Sequence, residues 1–176
     1  MTPVTTVTLS GLGLLNLLIL LVLVRRVDAL AARLDRPAAP SDPPPLPGVG
    51  TKVGSFTAVT TDGHRLSIED FVGRTLVGFF AEGCGTCREL APQFARHASV
   101  FPGGRDQVLV VVVSPNPGSP VAASMAPIAR VVVEPGDGAV VRAFRVDGFP
   151  GFCVLQENVV VAAEGKLERL RLPVPG

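Results

Sequence analysis

The segment "RTLVGFFAEGCGTC", Arg74 to Cys87, constrains the fold more than any other part of the chain. From Leu76 to Ala81 its residues are apolar or glycine with no alternation, the pattern of a strand covered on both faces. Immediately afterwards, Leu90, Phe94 and Ala98 recur at spacing four within Arg88 to Val100, which marks one apolar face of a helix. A doubly covered strand therefore runs straight into a helix, and Cys84 and Cys87 sit at the junction. Any fold for this chain needs a central sheet with further elements on each side.

The remaining pattern supplies those elements. "GSFTAV" and "HRLSI" predict a strand pair joined around Asp62-Gly63, a strong turn signal. "QVLVVVV" is the strongest strand signal, rich in β-branched residues. "SPNPGSP" predicts a loop, "VAASMA" a weak helix, "IARVVV" a strand and "DGAVVRAF" a short helix. "GFCVLQ" and "VVVAAE" predict a final pair about Glu157-Asn158, and "KLERLRL" a last helical turn or two. No internal repeat is visible. The expectation is an α/β fold with a central sheet flanked by helices, in a chain whose 176 residues suit one ordinary domain.

At the junction, a cysteine meets unpaired backbone N–H groups and the positive end of the helix dipole, both of which favour thiolate over thiol. Cys84 is expected as the exposed nucleophile at the first helical position. Cys87, one turn along the same face, can reach back to close a disulfide. The spacing alone is also used by zinc sites, but those need more ligands, and Cys153, His64 and His97 stand singly. No metal is expected. A purely structural disulfide is disfavoured because so short a loop removes little unfolded-state entropy.

The start of the chain has a different character. No charged residue occurs from Met1 to Val24, and Val7 to Val24 is an apolar run of 18 residues. At about 1.5 Å rise per residue, such a helix just spans a bilayer core. A cleavable signal peptide is the competing reading, with "ALA" at Ala29 to Ala31 as its tripeptide. Against it, no lysine or arginine precedes the run, and Arg25, Arg26 and Asp28 crowd the cleavage region. Val27, Leu30 and Leu34 continue a helical spacing beyond it. Arg36 to Gly50 then holds six prolines in fifteen residues, which predicts a semi-rigid spacer reaching roughly 35 Å from Pro37 to Gly48. The domains expected are residues 1–36 as anchor and juxtamembrane helix, 37–50 as linker and 51–176 as the folded part. This apolar start accounts for a mean hydropathy of +0.44. With a net charge of +1, there is no electrostatic reason to expect nucleic acid as a partner.

"FFAEGCGTCRELAP" resembles the active-site segment of the thioredoxin superfamily: an aromatic residue, an alanine, the paired cysteines and a proline five residues after the second. "VDGFPGFCVL" is similar to a second mark of that superfamily, a proline, usually cis, after a hydrophobic residue. The stretch from Val53 to Cys84 and the anchor resemble the membrane-tethered TlpA-like branch, including the MauD-like variety that assists maturation of disulfide-rich exported enzymes. The resemblance covers about Val53 to Gly165. It implies a thioredoxin-like fold with a mixed sheet behind one transmembrane helix, and a thiol-disulfide oxidoreductase. Cys84 and Cys87 would be the exchanging pair, with Pro150 packed against the sulfurs. Pro92 would kink the helix. Gly85, Thr86 and Phe149 would meet the substrate. No cofactor is implied beyond the redox-active disulfide Cys84–Cys87. The partners implied are a protein thiol or disulfide substrate and a redox partner protein, with membrane attachment through Val7–Val24.

The sequence departs from that pattern at three places. Gly78 stands where many thioredoxins have a buried acid, Gly83 where an aromatic precedes the first cysteine, and Thr86 where proline is common. Glu82 is the nearest carboxylate and is expected to face solvent. Cys153 is expected to be a small buried hydrophobe and His97 a surface histidine. A peroxiredoxin-like peroxidase is the alternative suggested by "GSFT" and "DGHRLS", although the threonine such enzymes carry ahead of the reactive cysteine is absent. A non-catalytic tethered binding module is the other. Two signals for sidedness oppose each other. Arg25, Arg26, Arg33 and Arg36 follow the anchor and none precedes it, which argues for the cytoplasmic face, whereas the resemblance implies the outside, where disulfides persist. The outward placement is the expectation adopted.

Overall fold

The computed structural model describes Leu20, residues 46–167 and Leu170. The predicted anchor (apart from Leu20), the juxtamembrane helix and most of the proline-rich stretch lie outside the described residues, as does much of the predicted turn at Lys166–Leu172. Among the described residues, no helix is long and apolar enough to cross a membrane.

The strands are β1 (Thr57–Val59), β2 (Arg65–Ser67), β3 (Arg74–Ala81), β4 (Val108–Val113), β5 (Arg130–Glu134), β6 (Gly151–Gln156) and β7 (Val159–Glu164). The helices are α1 (Gly85–Ser99), α2 (Pro120–Met125) and α3 (Ala139–Ala143). Five strands form one mixed sheet in the order β5-β4-β3-β6-β7. β3 runs parallel to β4 and antiparallel to β6. The run that the sequence singled out is thus the middle strand, and its residues from Thr75 to Phe80 are all buried. The β1–β2 hairpin pairs Ala58 with Leu66 and touches the β5 edge through a bridge between Thr60 and Val132.

Alternation along the sheet divides the interior into two cores. On one face Leu76, Phe80, Val108, Val110, Val112, Phe152 and Val154 pack against α1 and α2. On the other, Val77, Phe79, Leu109, Val111, Cys153 and Leu155 pack against α3, the hairpin and Leu46, Val53 and Phe56. Phe80, Phe94 and Phe152 form an aromatic triangle with centroids 5.5 to 5.7 Å apart. Such pairs add about 0.5 to 1.5 kcal/mol each beyond burial.

Residues ahead of Thr51 are already attached to this body. Leu46 is buried, and the Gly50 N–H donates to the Val160 carbonyl at 2.8 Å. Prolines carry no N–H to pair, so the attachment is made by the leucine side chain and the Gly50 amide beyond them.

Candidate active site

β3 delivers the chain to the site through a tight turn. The Cys84 N–H donates to the Ala81 carbonyl at 3.3 Å, closing Ala81 to Cys84, and Gly83 has φ +80°. A positive φ at the third turn position is a demand that glycine meets at no steric cost. This is the physical reason for glycine, and not an aromatic, ahead of the first cysteine. The turn also aligns the start of α1, which begins at Gly85, three residues earlier than the apolar periodicity indicated. Cys84 is consequently the N-cap and not the first helical residue. Its Sγ accepts from the Cys87 N–H at 3.1 Å. Sulfur therefore takes the capping role normally filled by an oxygen, satisfying one of the free amides of the first turn.

Cys84 and Cys87 are joined as a disulfide, with Cα atoms 5.2 Å apart. Their environments differ. Cys84 is half-buried, flanked by exposed Gly85 and Thr86, whereas Cys87 is 1% exposed and belongs to the aromatic core of α1 and β3. One sulfur is open to an incoming partner and the other faces inward.

Pro150 reaches the same place from the opposite direction in sequence. The β3–β6 register pairs Phe79 with Gly151, so Phe149 and Pro150, just ahead of β6, lie toward the end of β3 from which the cysteine turn departs. The Phe149–Pro150 peptide is cis and Pro150 is buried. Phe149 is half-buried and, like Cys84, packs against the α1-side core, while also touching the opposite core. The candidates Cys84, Cys87, Gly85, Thr86, Phe149 and Pro150, drawn from segments more than sixty residues apart, thus converge on one end of the sheet.

Part of the core behind Cys87 is closely filled. A Cβ on Gly78 would stand 2.7 Å from Cε2 and Cζ of Phe94. The volume that a carboxylate would need is filled by a ring from α1, and Phe94 was legible in the sequence only as a core residue. Pro92 lies inside α1, one turn past the cysteines.

Other candidates are elsewhere. Cys153 is on β6 beside Phe152 and therefore points into the opposite core, where burial pushes its thiol well above the ordinary range. It is the buried hydrophobe that was expected. His97 is exposed on the last turn of α1. His64 belongs to the hairpin turn, 3.3 Å from Asp62. There Thr60, Arg105 and His64 hold the Asp62 carboxyl far below the usual carboxylate range. Glu82 is exposed as expected, but its carboxylate also accepts a hydrogen bond from the Ser114 hydroxyl. Ser114 was unremarked in a predicted loop; its sequence signal is the Ser-Pro-Asn order of a hydroxyl turn, realised as the Asn116 N–H donating to Ser114 Oγ at 2.9 Å.

Residues 48–174 match the family described as Redoxin. Among solved structures, the chain is similar to a thiol:disulfide interchange protein from Bacteroides sp., at TM-score 0.54 and 21% identity over 66% of this chain and 81% of that one. It is also similar to the thioredoxin domain of a thiol-disulfide oxidoreductase from Bacteroides vulgatus, at TM-score 0.53 and 20% identity over 67% and 89%. A secreted Mycobacterium tuberculosis disulfide oxidoreductase matches at TM-score 0.52 and 16% identity over 63% and 83%. At these identities the likeness is one of fold, and the fold is thioredoxin-like. No curated protein matches the chain.

Proposed function

Because the chain belongs to the Redoxin family, we propose that it is a thiol-disulfide oxidoreductase that exchanges disulfides with a protein substrate through Cys84 and Cys87. The observation that carries this reading is the asymmetry of the joined pair, with Cys84 half-buried at the helix start and Cys87 fully buried behind it, at the end of β3 where the chain from Pro150 enters β6.

In the reduced protein, the Cys84 thiolate attacks one sulfur of a substrate disulfide. The Cys84–substrate disulfide forms, and the other substrate sulfur leaves as a thiolate that takes up a proton. The Cys87 thiol then loses its proton and attacks Cys84 Sγ. This restores the Cys84–Cys87 disulfide and releases the second substrate thiol, so two electrons pass to the substrate. The reverse sequence oxidises a substrate dithiol. Phe149, Gly85 and Thr86 line the approach to Cys84 and would receive the substrate backbone, with Pro150 behind it.

The finer reading is a TlpA-like, MauD-like protein held to the membrane by Val7–Val24, with residues 37–50 as spacer, 51–176 as the catalytic domain and the domain outside the cytoplasm. Its supports are the apolar run and the proline-rich stretch. The partners are an exported protein with cysteines and a second redox protein that resets the pair.

The test is labelling of Cys84 and Cys87 in intact cells with a membrane-impermeant maleimide, with and without prior reduction, in a Cys153→Ala background. Labelling in intact cells supports the outward placement, and its dependence on reduction reports the resting state of the pair. Labelling only after permeabilisation removes the exported-substrate reading. A Cys87→Ala chain that accumulates no mixed disulfide removes exchange itself.

A further inference from the structure

Glu82 stands two residues before Cys84 in the Ala81–Cys84 turn. The Glu82 N–H donates to the Val113 carbonyl at 2.9 Å, which ties the turn to the end of β4. Its carboxylate is tied to the same place, because Oε2 accepts from the hydroxyl of Ser114. Ser114 is itself fixed. It is 4% exposed, its N–H donates to the Glu134 carbonyl at 3.1 Å, and its Oγ accepts from the Asn116 N–H at 2.9 Å. The Asn116 carbonyl lies 2.8 Å from the same hydroxyl, but a carboxylate is the stronger acceptor for its single proton.

We propose that the Ser114–Glu82 hydrogen bond holds a negative charge beside Cys84 and thereby sets how readily Cys84 ionises, which makes Glu82 a positioning residue of the exchange reaction. The inference rests on the exchange reading and concerns the same site.

Residues two apart have Cα atoms within about 7 Å, and the Ser114 hydrogen bond keeps the carboxylate from swinging away from the turn that carries Cys84. A like charge disfavours the thiolate, opposing the helix N-terminus that favours it. Arg88 and Glu89 on α1 and Asp147 in the loop leading to Pro150 are exposed, as Glu82 is, but among the described residues their side chains make no hydrogen bond that would hold them in place. The Glu134 carboxylate is occupied by the Val140 and Val141 amides at 3.2 and 2.7 Å. Below the sulfurs, Phe94 leaves no room for an acid at Gly78. The carboxylate that the fold holds near Cys84 is therefore at the rim of the site, not beneath it. A destabilised thiolate makes the reduced pair less favourable and the pair a weaker oxidant.

The experiment is the pH profile of Cys84 alkylation by iodoacetamide in the full chain, in a Cys87→Ala, Cys153→Ala background. Glu82→Gln keeps the acceptor for Ser114 and removes the charge. Its profile is expected to move down by about half a pH unit. Ser114→Ala leaves the charge but frees it, and moves the profile in the same direction by less. The double variant is expected to coincide with Glu82→Gln. An unchanged profile in Glu82→Gln overturns the proposal, and an unchanged profile in Ser114→Ala overturns the positioning role of the serine. Mixed-disulfide accumulation in the same background reports the exchange reading separately, since its loss would leave the alkylation profiles intact.

Discussion

The ring of Phe94 occupies the position that a side chain on Gly78 would need, 2.7 Å from where its Cβ would be. Glycine on β3 and phenylalanine on α1 are thus one packing decision, made between residues 16 positions apart (94 − 78). Cys87 belongs to the same buried core as Phe80, Phe94 and Phe152.

Gly78→Ala is expected to destabilise the protein by about 1 to 3 kcal/mol, as overpacking of a dense core does. Phe94→Leu in the same chain should recover part of the loss, and the pair should couple in a double-mutant cycle measured by denaturant unfolding. An alanine variant as stable as the parent would falsify this packing.

Accessibility predicts an order of reaction for the three thiols after reduction. Cys84 is half-exposed, Cys87 is 1% exposed and Cys153 is fully buried. Mass spectrometry of the native, reduced protein under limiting iodoacetamide should show Cys84 modified first, Cys87 later and Cys153 only on unfolding. Early modification of Cys153 would mean that β6 does not turn it into the opposite core.

Burial raises the Cys153 thiol above its ordinary value of 9.0. Below that value the thiol is neutral in both states and contributes no pH dependence. Above it, the unfolded chain loses this proton and the folded chain keeps it, so the unfolded state binds fewer protons and stability falls as pH rises. The loss should reach about 1.4 kcal/mol by pH 10. Cys153→Val should remove this part of the alkaline slope in urea titrations, and an identical slope in both proteins would contradict it.

Glu134 is buried at the end of β5 and accepts from the first amides of α3. Glu134→Ala leaves both donors unpaired and is expected to cost roughly 2 kcal/mol, with Glu134→Gln costing less because one acceptor remains. Equal stability of the alanine variant would show that solvent replaces the carboxylate.

Local pattern was enough for much of this protein. Unbroken apolar runs at 76–81 and 108–113 marked the central strands, because a strand covered on both faces needs no alternation. Asp62-Gly63 marked the hairpin turn, and two cysteines between a strand and a helix marked the candidate site. The apolar periodicity of α1 began three residues late, whereas the expectation of Cys84 at the first helical position was one residue early. Its first turn is determined by Gly83 and by sulfur capping at Cys84, and neither leaves an apolar period to read.

What the sequence by itself determined was therefore periodic or adjacent: the element types, the apolar start of the chain and the spacing of Cys84 and Cys87. Only the tertiary structure decided which core each β6 residue enters, that Pro150 arrives at the end of β3, that Phe94 fills the space over Gly78, and that Ser114 holds the Glu82 carboxylate. Each of these depends on strand register or on side chains that meet from distant segments. Register and packing are properties of paired elements, and one segment read alone contains only its own half of the pair.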